Sequence, residues 1–343
     1  MNSTGLAAVP APSKSATKLP LPLTVATPYS AFTAANHGLR GADILGMEQL
    51  TPAQISCVLE CASALKASMS DPQQKNLLAG CSMAMLFEKP SLRTRVTFEL
   101  GMIQLGGSAI NLEGKLGVRE SVKDIACNLD RWVDVIMART FDHATILELA
   151  EYVSVPVING LSDIEHPCQA LADLLTIQEH KGHLDHLNIA YVGDPNNVSA
   201  SLMLGAAKMG ADFVMACPPA FHPNDELLCA AAQAGRTSGA KLRILHDPIE
   251  AVSFADVVYT DTWVSMGQES QTEWRKQAFN AYQVNSTILS HAKPDAIVMH
   301  CLPAHRGAEI TDEVIDGRQS VVLDQAENRL HAQKAILTLI LGQ

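Results

Sequence analysis

The sequence has no stretch of about twenty apolar residues, because Lys, Asp, His or Gly interrupts every hydrophobic run first, and a membrane-spanning helix is therefore not expected. It also has no cluster of Lys or Arg. With 25 basic against 36 acidic residues the formal net charge is −11, a balance that repels nucleic-acid backbones and anionic lipid surfaces. Neither nucleic acid nor membrane is expected as a partner. The eight cysteines lack the dense, regular spacing of a secreted disulfide scaffold, and Cys57 and Cys61 have no second pair with which to build a metal site. They read as small buried apolar side chains in a reducing, cytoplasmic setting. No internal repeat of solenoid period is found. Residues 1–36 lack acids and Arg, carry only Lys14 and Lys18 as charges, and are rich in Ala, Ser, Thr and Pro, so a disordered extension is expected there. Transit peptides also lack acids, but they are usually Arg-rich and amphipathic, which this proline-containing stretch is not.

What is present is the composition of an ordinary globular protein, 47% hydrophobic and 18% charged. At 343 residues the chain exceeds what one core usually holds, and two domains are expected. From Gly41 onward, short aliphatic or β-branched runs alternate with helical periodicities, the pattern of an α/β chain with parallel sheets. Thr51 reads as a helix N-cap, 82–87 as a buried strand and 92–105 as a helix. SAINL, VDVIMA and VPVIN continue as strands, with helices at 122–129 and 144–153. A long helix from His166 to His180 and a polar connector at 181–186 precede a second series: NIAYVG, DFVMAC, LRILH, DVVYTD and AIVMHC. Helices are expected near 198–209 and 225–234, and an amphipathic helix at 326–341 closes the chain.

The polar clusters fall where strands end. In FEKPSLRTR (87–95) a strand gives way to a helix whose first turn packs Ser91, Arg93, Thr94 and Arg95. A helix N-terminus supplies unpaired N–H groups and partial positive charge, so this turn suits phosphate, although a plain Ser cap with exposed arginines fits equally. HPCQALAD opens a helix with His166 and Gln169 on one face, able to address a carbonyl oxygen and an adjacent amide; a capping or core His is the commoner case. GDPNN follows NIAYV, but G-x-G-x-x-G is absent, which removes most support for a dinucleotide site. TDTWVSMG and HCLPAHRG end two further strands, at the edge where open α/β sheets bind ligands. Cys301 beside His300 suggests a thiol nucleophile, yet neighbours on a strand point to opposite faces.

Together these segments resemble the aspartate and ornithine carbamoyltransferase family, and its ornithine branch in particular, through FEKPSLRTR, LGG, ARTF, VPVINGL, HPCQALAD, VGDPNN, TDTWVSMG, HCLPAHRG and AENR, in order from about residue 40 to the C-terminus. The resemblance implies two three-layer α/β/α domains with parallel sheets. The carbamoyl-phosphate domain would span 37–182 and the ornithine domain 183–325, with the helix of 326–343 returning to the first. It implies transfer of the carbamoyl group of carbamoyl phosphate to the side-chain amine of L-ornithine, in arginine biosynthesis rather than breakdown, by a homotrimer or a multiple of trimers whose neighbouring subunits complete the cleft. Ser91, Leu92, Arg93, Thr94 and Arg95 would bind phosphate. Arg139, His166 and Gln169 would hold the carbamoyl group, with Cys301, Leu302 and Arg329 at the reacting end. Asn197, Asp261, Ser265 and Met266 would bind ornithine, and Arg139, His166, Cys301 and Asp261 would take part in the chemistry. No metal or organic cofactor is implied, since carbamoyl phosphate is already activated.

Two departures stand out. The phosphate turn usually reads S-T-R-T, and Leu92 replaces the first Thr, removing a hydroxyl but keeping an N–H. Lys115 in KLGVRES stands where many relatives have Gln, in a loop expected to reach an adjacent subunit. Competing readings are a sibling transferase acting on N-acetylornithine, succinylornithine or putrescine; a metal enzyme built on His180, His183 and His186; and a binding module without activity. An intact Asp261 beside SMG favours free ornithine, because its carboxylate matches an α-ammonium.

Overall fold

The structure is a computed structural model that describes residues 31–32, 37–265 and 268–342. The extension expected over 1–36 therefore lies outside the described residues, apart from 31 and 32. Two parallel sheets carry the molecule, as expected. The first is built from β1 (Ser82–Phe87), β2 (Ser108–Glu113), β3 (Val135–Arg139) and β4 (Val157–Leu161), in the order β2-β1-β3-β4. The second is built from β5 (Asn188–Val192), β6 (Asp212–Ala216), β7 (Leu242–Leu245), β8 (Val257–Thr260) and β9 (Ile297–His300), in the order β7-β6-β5-β8-β9.

Helices longer than five residues are α1 (Pro52–Ala67), α2 (Leu92–Leu105), α3 (Val122–Leu129), α4 (His143–Glu151), α5 (Pro167–Lys181), α6 (Asn197–Lys208), α7 (Asp225–Ser238), α8 (Thr272–Phe279) and α9 (Val322–Leu341). Local chemistry sets several of their ends. Thr51 caps α1 by accepting from Gln54 N at 3.2 Å while Gln54 Oε1 accepts from Thr51 N at 3.0 Å, a reciprocal box followed by Pro52. Gly106 ends α2 with φ +92, and a Cβ there would lie 1.7 Å from the Lys75 carbonyl oxygen, so both conformation and space require glycine.

All five residues of β3 are buried, as in a strand covered on both faces, and their run of apolar side chains follows from that burial. The edge strand β2 differs, with Ile110 and Leu112 exposed. Helix α5 is buried along its whole course from Pro167 to Ile177, and packs against α1, α6 and α9. Helix α9 begins a turn earlier than its periodicity indicated, at Val322, because Gln325 is drawn inward to accept from His300 N at 2.9 Å. It packs on α1, α2 and α5, and so lies against helices of the first sheet.

Candidate active site

In each sheet the chain reverses its direction of strand addition once, between β1 and β3 in the first and between β5 and β8 in the second. Loops leaving such neighbouring strands diverge to opposite faces and leave a crevice at the carboxyl ends. The two crevices open into one cleft of about 1220 Å³. Ser91, Leu92, Arg93, Arg139, His166 and Gln169 line it from the first sheet's side, Arg329 from α9, and Asn196, Asn197, Asp261, Ser265, Cys301 and Leu302 from the second.

The first side is cationic and dry. Ser91 caps α2, its hydroxyl accepting from Thr94 N at 3.3 Å, so the helix N-terminus points into the cleft region. Arg329 is 3% exposed and reaches across from α9, donating through Nη1 to Gln169 Oε1 at 2.8 Å and through Nη2 to Thr94 Oγ1 at 2.7 Å. Arg139, at the end of β3, is 7% exposed. Burial, reinforced by Arg329 and Arg93, pushes its guanidinium down to about 9. Arg93 and Arg329 are lowered too, each first by burial. Burial and the same three arginines hold His166 well below its ordinary range, so its imidazole is neutral. Arg139 Nε, Arg329 Nε and His166 Nδ1 are buried without a hydrogen-bond partner among the described residues. Three mutually repelling guanidiniums with unspent donors form a site that an oxyanion would relieve. The His166 backbone is held by Ser201 of α6, whose Oγ accepts from His166 N at 2.8 Å.

The second side carries acceptors. Asp261 follows β8 and accepts from Asn196 Nδ2 at 2.7 Å and from Cys301 Sγ at 3.0 Å. Burial first, then Asp261, raise the Cys301 thiol well above its ordinary range, so it stays protonated and donates rather than attacks. Asn196 is the N-cap of α6, and Asn197 Nδ2 donates to the Ser162 carbonyl, which ties the two sides together. Leu302 has φ +58, and its N–H donates to His300 Nδ1 at 2.9 Å while His300 Nε2 pairs with Glu309 Oε1 at 3.1 Å.

Of the residues singled out from sequence, the cleft gathers Ser91, Leu92, Arg93, Arg139, His166, Gln169, Asn197, Asp261, Ser265, Cys301, Leu302 and Arg329, with Thr94 joined through Arg329. Arg95 lies apart, its Nη1 paired at 2.8 Å with Glu113 at the end of β2, because it falls on the opposite side of the first helical turn from Arg93. Met266 lies outside the described residues. His180 is bound to Asp324 at 2.9 Å, while His183 and His186 stand 3.6 Å from Asp185; no three ligand atoms converge there among the described residues. Asp261, His300 and Cys301 do bring three ligand atoms within 4.8 Å, but both His300 ring nitrogens are engaged and the thiol is protonated, which fits a metal ion poorly.

Several cleft residues had no sequence signal. Arg275 of α8 is 2.9 Å from Asp194, donates to the Trp263 carbonyl at 3.0 Å and lies over the Phe221 ring at 5.0 Å, fixing the turn after β5 against the segment after β8. Burial pushes Asp194 up to about 6, with Arg275 opposing. Asp173 supports Gln169 from behind, and Gln325 and Glu309 hold His300, the residue before Cys301.

Residues 42–179 match the family model of the aspartate/ornithine carbamoyltransferase carbamoyl-P binding domain, and residues 185–340 match the Asp/Orn binding domain of the same family. The ornithine carbamoyltransferase of Pyrococcus abyssi is 52% identical over 307 residues, 89% of this chain and 97% of that protein. The protein named ornithine carbamoyltransferase, anabolic, of Pyrococcus furiosus is 50% identical over 307 residues, 89% of this chain and 98% of its own. A solved structure of ornithine carbamoyltransferase from Pyrococcus furiosus superposes with a TM-score of 0.86 at 50% identity, covering 88% of this chain and 98% of that one.

Proposed function

The chain belongs to the aspartate/ornithine carbamoyltransferase family and is a carbamoyl-transferring enzyme, and from that premise we propose that it makes citrulline from carbamoyl phosphate and L-ornithine, in the biosynthetic direction. The observation that carries the reading is the cluster of buried Arg139 and Arg329 with half-buried Arg93 around a neutral His166, opposite the Asp261 carboxylate and the Cys301 thiol that donates to it. Phosphate sits at the N-terminus of α2 with Ser91, Arg93, Thr94 and the Leu92 N–H. The carbamoyl oxygen faces Arg139 and His166, and its NH₂ faces Gln169.

The ornithine amine attacks the carbonyl carbon, a C–N bond forms, and the C–O bond to phosphate breaks. Charge grows first on the carbonyl oxygen, where Arg139 and His166 stabilise it, and then on the departing phosphate, which the Ser-Leu-Arg-Thr turn holds. The departing phosphate accepts the proton that the amine loses. The amine has an intrinsic pKa of about 10.4, like Lys, and must enter neutral; the buried arginines favour that form. Asp261, with Asn197, Ser265 and Met266, receives the amino-acid end.

A trimer follows the same reading. Leu92, Val96, Leu100 and Ile103 of α2, 41–73% exposed, lie along one side of that helix, and Ile110 and Leu112 of the edge strand β2 are exposed on the other face of the sheet, beside Ala84 and Leu86. A monomer rarely leaves so many large apolar side chains of one helix and its neighbouring edge strand in water. No helix among the described residues is long and apolar enough to cross a membrane.

The test is turnover of ornithine, N-acetylornithine, putrescine and aspartate, side by side with carbamoyl phosphate. Selective citrulline formation is the expected result. Preferred turnover of another amine would discard the assigned acceptor.

A further inference from the structure

Behind the cleft, one buried carboxylate is engaged entirely by neutral donors. Asp173, one helical turn beyond Gln169 on α5, accepts from Gln169 Nε2 at 2.8 Å and Gln325 Nε2 at 2.7 Å through Oδ1, and from the Tyr259 hydroxyl at 3.0 Å through Oδ2. All four side chains are fully buried. The orientation of each amide is dictated by its neighbours. Gln325 Oε1 is committed to a backbone donor, His300 N, so its NH₂ must face Asp173. The donor-only guanidinium of Arg329 requires Gln169 Oε1 to face it, which leaves Gln169 Nε2 to donate to Asp173 Oδ1. Arg329 lines the cleft and Asp173 does not. The amide therefore turns an acceptor, and not a donor, toward the bound acyl group.

We propose that Asp173 is a specificity-determining positioning residue: by holding Gln169 Nε2 it presents Gln169 Oε1 to the cleft, so that an acyl phosphate bearing NH₂ is taken in preference to one of the same shape bearing methyl. Carbamoyl and acetyl phosphate differ at just that group. A site that addresses an N–H by a buried acceptor rejects the analogue that lacks it, because the acceptor is left unpaired. Without Asp173 the amide keeps only one of its two orienting partners. It can then rotate, and the penalty against methyl falls.

The inference rests on the carbamoyl-phosphate reading of the cleft, and the experiment separates the two. Dissociation constants for carbamoyl phosphate, and for acetyl phosphate as its competitor, are measured on wild type, Asp173→Ala and Asp173→Asn. Wild type should favour carbamoyl phosphate; Asp173→Ala should lose about tenfold of that ratio, the equivalent of about one hydrogen bond. Asp173→Asn, whose amide oxygen can still accept from Gln169, should keep most of it. In a Gln169→Met background, Asp173→Ala should leave the ratio unchanged. If Asp173→Ala is insoluble, Asp173→Ser takes its place. Equal weakening of both phosphates, with the ratio intact, would overturn the role of Asp173 and leave the site reading standing. Wild type that binds no carbamoyl phosphate would remove both.

Discussion

The two walls of the cleft are built alike and charged oppositely. Both place loops at the carboxyl ends of a parallel sheet where strand order reverses. The first wall concentrates Arg93, Arg139 and, from α9, Arg329, all depressed first by burial, and Arg139 and Arg329 by their neighbouring arginines as well. The second offers Asp261, the Cys301 thiol and the Asn196 amide. On the proposed reading, one topology thus makes two halves of a transfer site, one for an oxyanion leaving group and one for an amino acid. The difference lies in side chains at strand ends, since the fold alone specifies neither.

Breaking the cationic wall should have the largest effect. Arg139→Ala should lower the kcat/KM for carbamoyl transfer by about a thousandfold or more, because it removes a fixed donor from the developing oxyanion. Steady-state citrulline formation checks this. Asp261→Asn strikes the opposite wall and should raise the KM for ornithine by about ten- to a hundredfold, the worth of a charged hydrogen bond, with a smaller change in the KM for carbamoyl phosphate. Equal changes in both would erase the division of labour between the walls.

A third effect should come from outside the cleft. Ile110→Asp places a charge on the exposed apolar edge strand β2 and, if the proposed trimer forms through it, should shift the mass in light scattering from trimer to monomer, with activity falling as the assembly does.

The smallest effect is in pH-dependent stability, and the two groups concerned carry opposite signs. His166 is held neutral well below its unfolded value of about 6.5, so the unfolded chain binds the extra proton, and this contribution is lost as pH falls below about 6.5. Asp173 is pushed up to about 7 by burial, so the folded chain keeps a proton that the unfolded chain releases near about 4; its contribution is greatest in acid and declines as pH rises toward 7. Thermal midpoints across pH 4 to 8 for His166→Gln and Asp173→Asn should flatten in opposite directions relative to wild type.

Local signals explain how much could be read from sequence. The strand 82–87 and the helix 92–105 match the structure residue for residue, because a run of apolar residues, a Ser cap and a terminal glycine mark them within a few positions. The turn after β1 and the His166 helix start were visible for the same reason. Arg275 with Asp194, and Asp173 with Tyr259 and Gln325, were not, since partners 81 to 152 residues apart leave no periodic trace. Arg329 lies 235 residues from Thr94, and only the family resemblance put them together. The burial of α5 from Pro167 to Ile177 was hidden as well: its polar Gln169, Asp173 and Thr176 suggest a solvent face, yet each is satisfied inside the protein.

The most direct test of the cationic wall pairs two readings on one variant. Thermal denaturation of wild type and Arg139→Ala is followed with and without carbamoyl phosphate. A buried guanidinium facing two others costs stability in the free protein, and a bound dianion stabilises the fold by mass action. The free Arg139→Ala protein should therefore melt no lower than wild type, and carbamoyl phosphate should raise the midpoint of wild type by clearly more than that of the variant. A variant that melts lower and gains as much stability from carbamoyl phosphate as wild type does would contradict the account, because Arg139 would then be part of the scaffold and not of the site.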